Sequence, residues 1–364
     1  YNYGLEYAPS SDIRFRPVMA RATRAPNVTE LFQGPSQNFP TGLIDPCIGI
    51  TAATSGVLGT QCRASAGVNA NIAANGAFTL NQADVQGVSG FDSGNPNLKE
   101  ERANTLTLGA IITPRSIDFL KNFSFTVDYS RTRIKRAIVP TPRQFILDQC
   151  FRKGVQSFCN FVIRRAGPEG ANSAGSLQFI NSGQTNSGGL FNSSLDVTAN
   201  YNTEIGGVLA SASIAYTHVF KLYQIPLPGA AKDQMAGEIG AAKDRFLLTL
   251  GAKIGGLNLQ YRGNYIGRSF LDDQFVLGLT DSAGNPVKAR DRRASVSAKY
   301  YSDLQASFDV GDHFEFYAGV NNLFDTSPPP IVTGLPQDDT GTETNAGTYD
   351  AIGRRYYTGV RLKF

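Results

Sequence analysis

Hydrophobic and polar residues alternate one for one in segments that recur along the whole chain. Phe123, Phe125, Val127 and Tyr129, for example, are separated by single polar residues. Successive side chains of a β-strand point to opposite faces, so this pattern predicts strands with one apolar and one polar face. The same alternation occurs over residues 195–202, 248–254, 257–262 and 314–321. The chain is therefore predicted to be all-β.

About 11 strands are predicted, and the connections between them are of two kinds. The strands are expected at 1–8, 13–24, 102–113, 121–138, 177–203, 208–221, 242–254, 257–268, 299–310, 313–322 and 353–364. Short turns alternate with long loops, which are expected at 25–101, 139–176, 222–241, 269–298 and 323–352. In an antiparallel sheet this places every long loop at one end. The pattern predicts a transmembrane antiparallel β-barrel with long outer loops and short periplasmic turns.

The odd number of strands affects where the chain would begin. Bacterial single-chain barrels have an even number of strands, usually with both termini in the periplasm. A chain of eleven strands that ends in the periplasm would begin at the outer rim, and nothing before Tyr1 resembles a signal peptide. We therefore expect residues 1–364 to be the C-terminal part of a larger barrel, with an odd number of strands outside this chain.

Composition excludes other classes of membrane or binding protein. Hydrophobic residues make up 41% of the chain, charged residues 18%, and mean hydropathy is −0.19. No segment approaches the roughly 18 consecutive apolar residues of a spanning helix, so helical transporters are excluded. The net charge is only +4 and the basic residues are scattered, so nucleic-acid binding is not predicted. His218 and His313 lack partners at metal-ligand spacing, and neither a metal site nor a cofactor is expected.

The four cysteines form two local pairs. Cys47 and Cys62 lie in one predicted long loop, and Cys150 and Cys159 lie in another. Local pairing in irregular segments predicts two disulfides, Cys47–Cys62 and Cys150–Cys159, and an oxidising compartment. Free surface thiols are the alternative.

The last predicted strand alternates up to the final residue. Val360, Leu362 and Phe364 alternate with Arg361 and Lys363. The spacing of Gly359, Leu362 and Phe364 resembles the terminal signal that the barrel-assembly machinery of Gram-negative bacteria recognises. An ordinary amphipathic edge strand that ends in Phe is the alternative.

Four segments resemble TonB-dependent outer-membrane receptors. They occur in the family's order and together extend over most of the chain: Arg21–Phe32, Gly94–Glu101, Ala318–Asp325 and Gly353–Tyr357. The resemblance implies a barrel of roughly 22 strands with an N-terminal plug inside it. The chain would supply about half of that barrel, without the plug and the N-terminal strands. TonB acting through the plug, the N-terminal half of the barrel and outer-membrane lipid would be its partners. The stretch 25–101 is longer than the family's compact version and contains the first cysteine pair.

Candidate ligand contacts are the aromatic, amide and basic residues of the predicted outer loops, where rings stack on sugars or siderophores. They are Phe32, Gln33, Asn38, Phe39, Phe145, Phe151, Arg152, Tyr223, Phe270, Asn345 and Tyr349. Each of them could instead pack its own loop. A basic region formed by Arg143, Arg152, Arg164 and Arg165 would attract an anionic chelate or lipopolysaccharide phosphates. A row of lumen-facing residues, Asn258, Gln260, Arg262 and Asn264, would line a transport path.

These patterns and the resemblance together predict a receptor of the Gram-negative outer membrane rather than an enzyme. It would take up a scarce bulky nutrient in a TonB-dependent way. An oligosaccharide is slightly favoured over a ferric siderophore because the long loops are neutral and rich in amides. A passive porin and a structural or adhesive barrel that binds a protein partner are the alternatives.

Overall fold

We describe a computed structural model of the chain. The described residues are 1–40, 42–86, 88–186, 188–226, 231–272, 295–311, 313–331 and 343–362. Phe364, which belongs to the predicted barrel-insertion signal, lies outside them. None of the described helices is both long and apolar enough to cross a membrane.

The strands differ widely in length, from two residues to 18. In chain order they are β1 (Asn2–Gly4), β2 (Ile13–Arg24), β3 (Ser36–Asn38), β4 (Gly90–Ser93), β5 (Glu101–Ile112), β6 (Phe123–Lys135), β7 (Ile138–Pro140), β8 (Val162–Arg164), β9 (Leu177–Ile180), β10 (Ser182–Asn186), β11 (Gly189–Ile205), β12 (Val208–Ile225), β13 (Asp233–Gln234), β14 (Asp244–Ile254), β15 (Leu257–Ile266), β16 (Ser269–Phe270), β17 (Ser295–Val296), β18 (Lys299–Val310), β19 (Phe314–Asn321) and β20 (Arg355–Leu362).

The helices are short and lie within the long connections, except for one 3₁₀ turn in a short connection. They are α1 (Val28–Phe32), α2 (Gly56–Ala64), α3 (Val68–Asn75), α4 (Gln82–Gln86), α5 (Arg143–Leu147), a π-helical turn at Asp148–Arg152, and α6 (Gln156–Cys159). The 3₁₀ turn, Asp118–Leu120, lies in the short connection between β5 and β6.

One long antiparallel sheet, which we call the wall, dominates the structure. Its strands follow one another in the order β1-β2-β5-β6-β11-β12-β14-β15-β18-β19-β20, and β13 pairs with β12. Each wall strand pairs with the next wall strand along the chain, as in an up-and-down barrel. The predicted eleven-strand antiparallel sheet is confirmed.

Apart from shifts of a few residues at strand ends, two predicted strands differ from the structure. The first extends only over Asn2–Gly4, with one further bridge between Tyr7 and Phe15. The prediction of a single strand over 177–203 is wrong, since the wall strand begins at Gly189. The two preceding strands, Leu177–Ile180 and Ser182–Asn186, belong to two separate small sheets. The first of them does not join the wall, because the side chains of Leu177 and Ile180 are buried among loop residues.

The wall has one apolar and one polar face. Successive cross-strand partners from β11 to β19 on the apolar face are Tyr201, Ala212, Leu250, Tyr261, Leu304 and Val320. The neighbouring row on the polar face, from β11 to β18, is Asn200, Ser213, Thr249, Arg262 and Asp303. The register therefore keeps the two residue classes on opposite faces across the sheet.

The connections divide the wall into two rims. At the short-turn rim, Gly206 and Gly207 join β11 and β12 in a tight hairpin. Their φ values of 59° and 82° lie in the left-handed region, which residues with a side chain rarely adopt. The opposite end, which we call the loop rim, receives all the long connections. The loops between β2 and β5 and between β6 and β11 fold there into one unit.

We call this unit, from residues 36–93 and 137–186, the disulfide cap. Both predicted disulfides are present in it, Cys47–Cys62 and Cys150–Cys159, and each closes within its own loop. A four-stranded sheet of β3, β4, β10 and β7 joins the two loops. The cap core is apolar and consists of Cys47, Ile50, Cys62, Val68, Ile72, Phe78, Val88, Ile146, Leu147, Cys150, Phe151, Leu177 and Ile180.

A second, smaller loop cluster lies at the other side of the loop rim. Its buried members are Ile239, Ala242, Ile266, Tyr301, Ile331 and Tyr349. They come from the connections after β12 and β19 and from the rim ends of β15 and β18. The strand ends and the loops therefore share this core.

Candidate ligand-capture surface at the loop rim

Arg24, the last residue of β2, connects the wall to the start of the first long loop. Its guanidinium donates to both carboxylate oxygens of Glu30, at 2.9 and 3.0 Å, and to Glu101 of β5 at 2.5 Å. The Arg24 hydrogen bonds lower the pKa of Glu30. Glu30 also accepts from the backbone of Asn27, whose side chain accepts from the backbone of Glu30. This capping box starts α1 at the point where the chain leaves the wall.

The two segments that begin and end the first long loop contact each other. The backbone of Asn95 donates to the Glu30 carbonyl at 2.8 Å, and Gly94 donates to the Gln33 carbonyl at 2.9 Å. A Cβ at Gly94 would lie 2.7 Å from the Gln33 backbone nitrogen. Both segments resemble receptor motifs, and in this structure they close the base of the loop.

The centre of the cap contains a buried ion pair. Arg164 makes a bidentate contact with Asp45 at 2.6 and 2.7 Å, and both side chains are only 2% exposed. The guanidinium lies over the rings of Phe151, at 4.6 Å, and Phe78, at 5.6 Å. Asp45 and Arg164 belong to different loops, so this pair fixes the two loops against each other.

The predicted ligand residues occupy three environments. Phe32 and Phe39 are 67% and 70% exposed, and Gln33 is also exposed. Phe151 and Tyr349 are each only 2% exposed, in the cap core and the second loop cluster respectively, where they pack loops and offer no surface to a ligand.

The remaining candidates are held by neighbouring groups. They comprise Asn38, which donates to Asp92; Phe145, whose ring meets Phe158 edge-on; Arg152, paired with Asp148 at 3.0 Å; Phe270, under the Arg268 guanidinium; and Asn345, whose carbonyl accepts from Tyr349. The structure thus leaves the rings of Phe32 and Phe39 as the most accessible aromatic candidates.

Tyr223 lies on the apolar face of the wall. Its ring stacks on Phe191 at 5.1 Å, and Lys232 lies over it at 4.8 Å. Phe191 pairs across the sheet with Arg133, which lies on the same face of β6 as the apolar-face residue Tyr129. Tyr223 is therefore on the outside of the wall and does not border the polar face.

The predicted basic region is largely neutralised by neighbouring carboxylates. Four ion pairs, with separations of 2.6 to 3.3 Å, involve its members: Arg143–Asp92, Arg152–Asp148, Arg164–Asp45 and Arg165–Glu169. A positive field that attracts anions therefore has less support than the sequence indicated.

Several side chains of the polar face are joined by hydrogen bonds and ion pairs across neighbouring strands. Arg16 pairs with Asp128 at 2.7 Å, and Tyr357 donates to Gln305 at 3.1 Å. The predicted lumen row Asn258, Gln260, Arg262 and Asn264 lies on this face, opposite Ser307, Gln305, Asp303 and Tyr301 of β18. A depression of about 580 Å³ near the short-turn rim includes Asn202, Ser211 and Asn258. Within the described residues, no three His, Cys, Asp or Glu side chains are grouped to hold a metal ion.

A row of basic residues at the loop rim, on the apolar face of β6, was not predicted from the sequence. The apolar-face positions of β6 continue after Tyr129 as Arg131, Arg133 and Lys135, in the same alternating phase. The signal was the change from aromatic to basic residues within a single strand.

An eleven-strand antiparallel wall, with one apolar face and long loops at one rim only, defines the class as a segment of a membrane β-barrel. The family profile described as "TonB dependent receptor-like, beta-barrel" matches residues 1–323. The chain therefore belongs to the TonB-dependent receptor β-barrel family, and the resemblance and fold class predicted from the sequence are confirmed. This is a family of transport receptors rather than of enzymes.

Solved structures with the same fold include three receptors. A mutant of the ferric enterobactin receptor PfeA of Pseudomonas aeruginosa, in complex with enterobactin, is 16% identical over 100% of this chain and 40% of its own, with a TM-score of 0.55. The siderophore receptor PirA of Acinetobacter baumannii is 12% identical over 100% and 40%, with a TM-score of 0.54. The FrpB iron transporter of Neisseria meningitidis is 15% identical over 100% and 39%, with a TM-score of 0.52.

The chain thus spans about 40% of the length of these receptors. No curated protein sequence matches it. At these identities the likeness concerns the fold.

Proposed function

We propose that the chain is the C-terminal barrel portion of an outer-membrane receptor for TonB-dependent uptake of a scarce bulky nutrient. The main support is the wall, because one apolar face, one polar face and an ordered cap at a single rim suit a one-directional path through a membrane. Family membership supports the same proposal. Neither observation favours the porin alternative.

The proposed mechanism separates capture from passage. The loop rim binds the nutrient, and the polar face, including Asn258, Gln260 and Arg262, lines the path. A plug domain and the N-terminal strands would complete the barrel, and TonB would act through that plug. The barrel-assembly machinery would recognise Gly359, Leu362 and Phe364 during insertion into the outer membrane of a Gram-negative bacterium.

Phe32 and Phe39 are proposed as the aromatic contacts of the captured nutrient. Their rings are largely exposed, whereas the rings of Phe78 and Phe151 are buried in the cap core. Aromatic side chains have only two χ angles, so ordering them on binding costs little, and their rings stack well on sugar or aromatic faces. Gln33, which follows Phe32 in sequence and is exposed, would supply hydrogen bonds.

For the substrate class, we propose an oligosaccharide ahead of a ferric siderophore. The support is the pairing of Arg143, Arg152, Arg164 and Arg165 with carboxylates, which leaves these cations occupied. A ferric siderophore remains the second candidate, because the fold neighbours PfeA and PirA are a ferric enterobactin receptor and a siderophore receptor.

Uptake by cells that express the complete receptor tests the proposal. We expect accumulation of labelled oligosaccharide to require TonB, and to fall about tenfold in a Phe32→Ala, Phe39→Ala double variant. Phe119→Ala is a matched control, because Phe119 is 73% exposed but lies at the short-turn rim.

Each other result identifies a different failure. Uptake of ferric siderophores but not of oligosaccharides would show that the siderophore is the substrate class. Uptake that continues without TonB would support a porin. Absence of uptake together with stable binding of a second polypeptide to the loops would support the adhesive alternative.

A further inference from the structure

A patch of basic residues lies on the apolar face of the wall, immediately at the loop rim. Arg131 pairs with Leu106 of β5 and with Ser193 of β11, and Ser193 pairs with Lys221 of β12. One pair further toward the loops, Arg133 lies between Asn104 and Phe191. Asn104 pairs in turn with Arg21 of β2. We call Arg21, Arg131, Arg133 and Lys221 the rim cation patch.

The charges of this patch are not compensated within the described residues. All four side chains are exposed, and no described carboxylate forms an ion pair with any of them. On the opposite face, by contrast, Arg16 is paired with Asp128. Like charges on neighbouring strands repel each other. The rim cation patch therefore favours binding of an external anion.

The patch adjoins apolar and aromatic surface on its short-turn side. One row away on the same face, Leu108 pairs with Tyr129, which pairs with Leu195. The Phe220 ring lies 6.1 Å from Tyr129, and both Leu108 and Phe220 are almost half exposed. A cavity of about 450 Å³ between the charged and apolar rows is lined by Tyr129, Arg131, Phe191, Ser193, Phe220 and Lys221.

The order of these rows points to one kind of occupant. Arginine binds phosphate through planar, bidentate hydrogen bonds, and lysine contributes a point charge. A free phosphate would use only the charged rows and leave the apolar cavity empty. A phosphorylated lipid would place its headgroup on the cations and its acyl chains along the row of Leu108 and Tyr129.

We propose that the rim cation patch and the adjoining cavity bind a phosphorylated lipid of the surrounding outer leaflet, on the outside of the barrel. This site is separate from nutrient capture, because it lies on the apolar face. Arg131 is its central residue, since its guanidinium also lies over the Phe191 ring at 5.4 Å and is thereby positioned above the cavity.

Native mass spectrometry of the complete receptor in neutral detergent tests this proposal, with bisphosphorylated lipid A as the added probe. We expect one lipid A to remain bound to the wild type, and the affinity to fall at least about tenfold in an Arg131→Gln, Arg133→Gln, Lys221→Gln variant. The matched control is Arg115→Gln, Lys121→Gln, Lys253→Gln, which removes three exposed cations near the short-turn rim.

Two further probes separate headgroup from chain. Dephosphorylated lipid A and inorganic phosphate, each added alone, should bind at least tenfold more weakly than bisphosphorylated lipid A. The proposal is overturned if the two triple variants bind the lipid equally, if removing its phosphates changes nothing, or if inorganic phosphate competes as well as the lipid. The lipid-binding assay does not measure nutrient uptake, so its result and the result of the uptake experiment can be distinguished.

Discussion

Arg164 illustrates how one buried side chain organises the disulfide cap. Its guanidinium binds Asp45 from the other loop, donates to the Gly175 carbonyl at 2.8 Å and lies over two phenyl rings. Removal of one member of a buried ion pair leaves an uncompensated charge, which is more destabilising than the pair is stabilising. The sequence identified Arg164 as a basic loop residue, but its partner is 119 positions away, so local pattern could not predict this role.

Arg164→Met is therefore expected to destabilise the cap by about 3–5 kcal/mol. Hydrogen exchange of the cap amides, such as Phe78, whose N–H donates to Ile50, should become faster. Arg152→Met is the matched control, because the Arg152 and Asp148 side chains are 52% and 38% exposed and surface pairs contribute about 1 kcal/mol or less. Equal effects of the two substitutions would contradict the structural role of Arg164.

The capping box at α1 predicts a pH dependence. The pKa of Glu30 is lowered from 4.5 by Arg24, so its stabilising contribution is present above about pH 4.5 and is lost as the pH falls through the lowered value. Asn27→Ala should cost about 1 kcal/mol at pH 7. Glu30→Gln should reduce the protection of amides 30–33 at pH 7, and the loss should be smaller at pH 3, because the contribution of Glu30 declines below about pH 4.5. A loss of protection that is the same at both pH values would exclude this linkage.

At the scale of elements, the wall strands and the cap differ in how far sequence predicts them. Alternation is a local pattern with period two, so the strand β2 was predicted with its observed bounds, Ile13–Arg24. The cap follows from contacts between two distant loops. Leu177–Ile180 also resembles a strand, but which sheet it joins depends on β8, its partner in the loop. The helices α2 and α3 were not predicted, because a Gly- and Ala-rich stretch lacks clear periodicity.

Gly94 tests the closure of the first loop. Gly94→Ala places a methyl group within 2.8 Å of the backbone of Leu31 and Gln33, so we expect loss of the hydrogen bond to Gln33 and a cost of about 1–3 kcal/mol. The matched control is Gly34→Ala, where no atom lies within 4 Å of the added carbon. Limited proteolysis within 25–35 measures the difference. Equal cleavage of the two variants would show that the close approach at Gly94 is unimportant.

At the scale of the whole molecule, we expect the apolar face of the wall to contact lipid and the polar face to contact water. Leu250→Arg puts a charge in the middle of the apolar face, and we expect a cost of about 2–4 kcal/mol for folding into a bilayer. Gln260→Arg, on the polar face beside Gly251, should cost much less. Reversible folding of the complete receptor into lipid vesicles measures both. Similar costs would mean that the assignment of the faces is wrong.

Each disulfide of the cap closes a ring within one loop, and no described disulfide links the two loops to each other. The seam between them consists only of non-covalent contacts, such as the Arg164–Asp45 pair and the hydrogen bond from Asn71 to Ala174. The two halves can therefore part and rejoin repeatedly without any thiol chemistry. A reductant would loosen each half from within, but only forces that act on the seam itself would open the cap.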